Sequence, residues 1–100
     1  VILVDPVQQG ATPWPGGRFS HLISDESVEE LLAFARGIGL SMRWFQHQGV
    51  SSFPHFDVSP RYRAKAIAAG ANSCDKRGFV EAMRRYRSRN AGPWTAPLSR

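Results

Sequence analysis

Residues 19–40 read FSHLISDESVEELLAFARGIGL, and the apolar pattern changes period partway along. The FSHLI segment mixes apolar and polar side chains in the manner of a short, half-buried strand. From Val28 the rule is different. Val28, Leu31, Leu32, Ala35 and Ile38 fall at i, i+3, i+4, i+7 and i+10, which is one stripe of an α-helix. Ser27 and Glu30 have the spacing of a capping box, and Asp25, Glu26, Glu29 and Glu30 place negative charge at the positive end of the helix dipole. Gly39 stands where a left-handed residue closes the helix, with Leu40 folding back. A strand feeding directly into a helix points to an α/β fold.

Working outward, VILV (1–4) is a continuous β-branched run and reads as a strand buried on both faces, stopped by Asp5-Pro6. VQQGATPWPGGR (7–18) carries two prolines and three glycines and reads as a loop. MRWFQ (42–46) supplies a third, aromatic strand, and ANSC (71–74) a weak fourth. Ser59-Pro60 is an N-cap with proline at the first helical position, opening the alanine-rich RYRAKAIAA, which Gly70 ends. Asp75 caps a third helix running to about Tyr86 or Arg87, with Phe79, Val80, Ala82, Met83 and Tyr86 on one side. The expected architecture is a small, largely parallel four-stranded sheet covered by three helices. It forms one domain over residues 1–87, and SRNAGPWTAPLSR (88–100) is a flexible tail.

Composition narrows the function classes. A 100-residue chain suits one modest core, and no apolar run approaches a membrane span. VILVD is too short for a signal-peptide core, and the single cysteine, Cys74, cannot form an intramolecular disulfide. Both features lead to the expectation of a cytoplasmic protein with no membrane partner. The net charge of +5 is unevenly spread. Residues 1–60 carry three basic and six acidic side chains, whereas residues 61–100 carry ten basic and two acidic. That asymmetry favours an anionic partner, either a phosphate-bearing ligand or nucleic acid. Oligomeric state is not encoded in these features.

The candidate chemistry centres on FPHFDVSPRYR (53–63). In an extended segment Phe53, His55 and Asp57 share one side, and Pro54, Phe56 and Val58 the other. Asp5 follows the first strand, so in a parallel sheet it would join His55 and Asp57 beyond the strand ends. These three could hold a divalent metal ion or supply a general base. The competing reading makes Asp57 a helix-entry residue and gives His55 a loop carbonyl to bind. His21, inside its strand, reads as a packing or locally hydrogen-bonded residue. Arg61, Arg63 and Lys65, close to a helix N-terminus, are candidate anion binders. On the third helix Arg77, Glu81 and Arg85 have the spacing of a solvated ion-pair ladder, and Arg84, Arg85 and Arg87 are the candidate nucleic-acid contacts. No P-loop, GxGxxG, CxxC, HExxH or GxSxG motif is present.

The segments ILVD (2–5), SHLISD (20–25), RWFQ (43–46) and HFDVSPRYRAKAIAAGA (55–71) resemble a small bacterial and phage family, domain of unknown function 4031. The resemblance spans roughly residues 1–87 and touches Asp5, His21, Trp44, His55, Asp57, Arg63 and Gly70. Lys65 departs from it, standing where an apolar residue is expected. The resemblance implies where a site lies and carries no activity with it. Three functions fit the sequence: binding or hydrolysis of a phosphate-bearing ligand at the His/Asp site, non-catalytic nucleic-acid binding through the basic C-terminal region, and a structural or assembly role.

Overall fold

The computed structural model describes residues 1–12, 14–47 and 53–90. The chain runs β1 (Ile2–Val4), β2 (Gln8–Gln9), β3 (Arg18–Ser24), α1 (Val28–Gly37), β4 (Phe45–Gln46), β5 (His55–Val58), α2 (Pro60–Ala68), β6 (Asn72–Ser73) and α3 (Lys76–Arg89). In space the strands follow the order β4-β5-β3-β1-β6, with β2 also on β3. The fold is α/β, as the period change at residue 28 indicates. The sheet, however, is mixed and mostly antiparallel: β1–β6 is parallel, and β1–β3, β2–β3, β3–β5 and β4–β5 are antiparallel. The expected four-stranded, largely parallel sheet is therefore corrected.

The reason lies in two segments. Among the described residues of 5–17 there is no crossover helix, and the chain turns back and lays β3 antiparallel against β1. The stretch taken as an extended lead-in to α2 is itself β5, a central strand paired on both sides. Within the expected loop, β2 pairs with β3 and a 3₁₀ turn covers Pro15–Gly17. MRWFQ divides into a 3₁₀ turn at Met42–Trp44 and the two-residue β4.

Strand alternation sorts the core into two layers. Ile2, Val4, Leu22, Phe56 and Val58 face α1 and α2, meeting Leu31, Ala35 and Ala66. Leu3 and Ile23 face α3, where Phe79, Ala82 and Tyr86 cover them together with Phe53. Both α1 and α2 end in a left-handed glycine that lets the chain fold back: Gly39 and Gly70 have φ of 86° and 113°. The following amides close the turn, Leu40 N–H bonding Ala35 O and Ala71 N–H bonding Ala66 O, each at 2.9 Å.

The capping box of α1 is half formed. Ser27 Oγ accepts from Glu30 N–H at 3.1 Å, but the Glu30 carboxylate is bound by the Ser24 hydroxyl, and Ser24 Oγ accepts the Ser27 amide. Asp75 caps α3 through Gly78 N–H at 2.8 Å, and the helix continues past residue 87 to Arg89. The remainder of the expected tail, residues 91–100, lies outside the described residues. No helix among the described residues is long and apolar enough to cross a membrane.

Candidate metal centre

Antiparallel pairing of β3 with β5 sets His21 directly opposite Asp57 and leaves His55 two residues away on the same side. That side is the α3 face of the sheet. Leu3 and Ile23 are covered by α3, but farther along β3 and β5 the face stays partly open: the side chains of His21, His55 and Asp57 are 31%, 21% and 15% exposed. The cluster therefore projects from the middle of a sheet face and does not lie beyond strand ends, where a parallel sheet would have put it.

Asp5 reaches the same face through a bulge. Val4 pairs with Leu22 but Gln8 pairs with Phe19, so the register against β3 slips by one residue across Asp5-Pro6-Val7. Pro6 has no N–H to give the ladder, and the bulge directs the Asp5 carboxylate back onto β3. Its Oδ1 accepts from the His21 backbone N–H at 2.6 Å, and its Oδ2 accepts from His21 Nδ1 at 2.8 Å and Gln8 Nε2 at 3.1 Å. One Asp5 carboxylate thus holds both the backbone and the ring of His21.

Those contacts also decide where the protons sit. A carboxylate only accepts, so His21 Nδ1 donates to Asp5, and the other ring nitrogen, Nε2, faces Asp57, 3.9 Å from Oδ1. His55 repeats the arrangement: its Nδ1 donates to the Phe53 carbonyl at 2.6 Å, which leaves Nε2 3.4 Å from the same Asp57 oxygen. The imidazole rings stand edge to face with centroids 5.4 Å apart. Asp57 Oδ1 is buried and accepts no hydrogen bond. Its contact with His55 is an ion pair rather than a hydrogen bond.

Charge keeps this small group coupled. Burial on its own would lower the pKa of His55, but the Asp57 carboxylate, the Phe53 carbonyl and the more distant Asp5 outweigh it and raise the value above 6.5. Burial would raise Asp57, yet His55, the Gln46 amide that bonds the carboxylate, and the nearby His21 hold it below 3.8. The metal-free cluster is a proton-sharing set in which His55 and Asp57 each favour the other's charged form.

The donor set suits a metal ion. His21, His55 and Asp57 each offer one atom, and these atoms lie within 4.8 Å of one another. Around a tetrahedral ion with metal–ligand bonds of about 2.0–2.1 Å, neighbouring ligand atoms are about 3.3 Å apart. The two separations to Asp57 Oδ1, 3.4 and 3.9 Å, are close to that geometry. Asp5 and the Phe53 carbonyl would then be the outer partners that fix a ligating imidazole's tautomer and tilt. Two imidazoles and a carboxylate leave at least one coordination position open on the exposed side.

Of the residues expected to form the site, Asp5, His55 and Asp57 are brought together. Asp5 bonds His21 directly, and the His21 ring packs against Phe19 and Phe79, as expected of a packing, locally hydrogen-bonded residue; the same ring also stands among the three candidate ligands. No local pattern in the sequence marks His21, because its importance comes from register with a residue 36 positions later; only the family resemblance included it. Arg61, Arg63 and Lys65 lie on α2, which packs on the other face of the sheet. Arg63 is a structural tie, its Nε donating to the Asp5 carbonyl at 2.9 Å and Nη2 to Ser73 Oγ at 3.1 Å. Lys65 lies over the Tyr62 ring at 5.2 Å, and Arg61 is exposed.

On α3, Arg85 pairs with the buried Asp25 at 2.9 Å rather than with Glu81, and Arg89 joins the same carboxylate at 3.4 Å. Arg87 covers the Phe53 ring at 5.3 Å, and Arg84 is exposed. The expected ladder of Arg77, Glu81 and Arg85 is replaced by contacts that dock α3 onto the start of α1.

Comparison with known proteins adds a family and no activity. No curated protein and no solved structure matches the chain. A family model described as "Protein of unknown function (DUF4031)" matches residues 2–86, which takes in all of β1 to β6 and every residue of the His/Asp cluster. The chain belongs to that family.

Proposed function

We propose that this domain binds a divalent transition-metal ion through His21 Nε2, His55 Nε2 and Asp57 Oδ1, and uses its open position on a phosphate-bearing ligand. The convergence of three ligand atoms, two of them on histidines whose other nitrogens are already committed, carries the reading. Imidazole-rich sites favour zinc, iron, nickel or copper over magnesium and calcium. An ion held by three protein groups polarises a phosphoryl oxygen and acidifies a bound water, which is the chemistry of metal-assisted phosphoester hydrolysis. The overall charge of +5 favours the approach of such an anion. Asp5 orients His21 and stays out of the coordination sphere.

The test is calorimetric titration of metal-free protein with Zn²⁺ and Mn²⁺, followed by an assay with bis(p-nitrophenyl) phosphate. One ion per chain is expected, with binding abolished in His21→Ala and His55→Ala and phosphodiester cleavage dependent on the ion. If no divalent ion binds, and both variants merely lose stability, the cluster is a structural device and the proposal is wrong.

A further inference from the structure

A cleft of about 330 Å³ opens beside the cluster, lined by Ala11, Trp14, Arg43, Trp44, Gln46 and Asp57. Three features give it a chemical character. Its walls are aromatic: Trp14 and Trp44 meet edge to face with centroids 4.7 Å apart, and the Trp14 indole is fixed by its Nε1–H bond to the Asp57 carbonyl at 2.9 Å. Its mouth carries a cation. Arg43 is exposed, and among the described residues its guanidinium has no ion pair or hydrogen bond. It adjoins the proposed metal site through one residue, Asp57, which lines the cleft together with Gln46.

An aromatic wall, a free guanidinium and a metal ligand in one small cavity match the base and the phosphate of a nucleotide. We infer that the cleft takes a nucleoside phosphate, the base held against the Trp14–Trp44 walls and the phosphate placed between Arg43 and the metal. Base–aromatic stacking tolerates every base, since each has a π-face, so the slot selects for a heteroaromatic ring and not for one sequence. Arg43 supplies the planar donor fork that phosphate oxygens accept. Gln46 is left as the one neutral amide able to reach a base edge or a sugar hydroxyl. The inference rests on the metal reading above and names the ligand class of that same site.

The experiment separates the two. Zn²⁺-loaded protein is titrated with adenosine 5′-monophosphate, inorganic phosphate, and a 5′-phosphorylated thymidine tetranucleotide, with tryptophan fluorescence and calorimetry as readouts. Wild type should bind the monophosphate at least tenfold more tightly than inorganic phosphate and quench tryptophan emission. Arg43→Gln should lose tenfold or more in nucleotide affinity while binding Zn²⁺ as wild type does. Trp44→Leu should bring the monophosphate down to the affinity of inorganic phosphate. Tighter binding of the tetranucleotide than of the monophosphate would identify the terminus of a single strand as the source of the ligand, and the reverse a free nucleotide. Equal affinity for inorganic phosphate and monophosphate, or an unchanged Arg43→Gln, overturns the cleft assignment even where Zn²⁺ binds normally. Failure of Zn²⁺ to bind in the first titration overturns the metal reading instead.

Discussion

Replacing Asp57 with Asn separates a metal ligand from a turn-forming residue more sharply than any deletion. In the metal-free protein Asp57 Oδ1 is buried without a hydrogen bond, 3.4 Å from His55 Nε2 and 3.9 Å from His21 Nε2. An asparagine amide is isosteric and removes the charge that favours protonated His55, so it can donate to the neutral ring and exchange the ion pair for a hydrogen bond. The net change should stay within about 1 kcal/mol, the usual worth of one such bond. The metal-bound state responds differently, because an amide is a far poorer ligand than a carboxylate. An ion at about 100 times its dissociation constant adds roughly 2.7 kcal/mol to the wild-type fold. For a chain of this length that is a rise in Tm of roughly 10–20 °C. Thermal melts of both proteins with and without Zn²⁺ should therefore give nearly equal metal-free midpoints and a large shift in wild type alone. A variant that keeps the wild-type shift would remove Asp57 from the coordination set. A metal-free loss above about 3 kcal/mol would mean the carboxylate is a structural support of the fold.

Other outcomes follow from the same geometry. Because His55 is raised above 6.5, its protonation stabilises the metal-free fold fully below that pH, and the contribution fades as pH climbs through the raised value. Asp57, lowered from 3.8, contributes above that value and loses its share as pH falls through the lowered one. Metal binding has the opposite slope near neutrality, since the ion must displace the His55 proton; melts between pH 5.5 and 8 should show metal-free Tm falling while the Zn²⁺ increment grows, and parallel slopes would contradict the proton competition. Asp5→Asn should weaken Zn²⁺ about 10–100-fold by releasing the His21 ring, as an outer partner does, and an unchanged calorimetric affinity would show the ring is held by something else. Phe56→Ala, at the fully buried centre of the sheet, should cost about 3–5 kcal/mol in urea unfolding; a cost under about 1 kcal/mol would mean the layer facing α1 and α2 is not the main core.

Much of the fold is legible because caps and periods are local. Ser27, Ser59 and Asp75 each cap the helix that the sequence assigns to them, and Gly39 and Gly70 end α1 and α2. Strand direction is not local. A strand's period of two is the same whether its neighbour runs parallel or antiparallel, so alternating strands and helices suggested crossovers where residues 5–17 make a reversal. The alternation of Phe53, His55 and Asp57 against Phe56 and Val58 was readable, and the two sets do face opposite layers. That His55–Val58 pairs on both sides was not readable, since four residues ending at a helix cap look equally like a connector. His21 and Arg85 show the same limit at the level of side chains. Each has its partner set by long-range docking: His21 by the bulge at Asp5 and the strand opposite, Arg85 by an aspartate 60 residues earlier.

The exchange of faces along β5 has a consequence for how reliably the chain finds its alignment. Phe56 and Val58 are wholly buried against α1 and α2, while His55 and Asp57, interleaved with them, look the other way. A slip of one residue against β3 would push an imidazole and a carboxylate into the aliphatic layer and turn a phenylalanine out toward water. The misaligned sheet would bury an unsatisfied charge and lose its best apolar contact at once. The polar residues that form the cluster therefore also act as proofreaders of strand pairing. Apolar substitutions at His55 or Asp57 would remove a ligand and, in the same step, make the wrong alignment affordable.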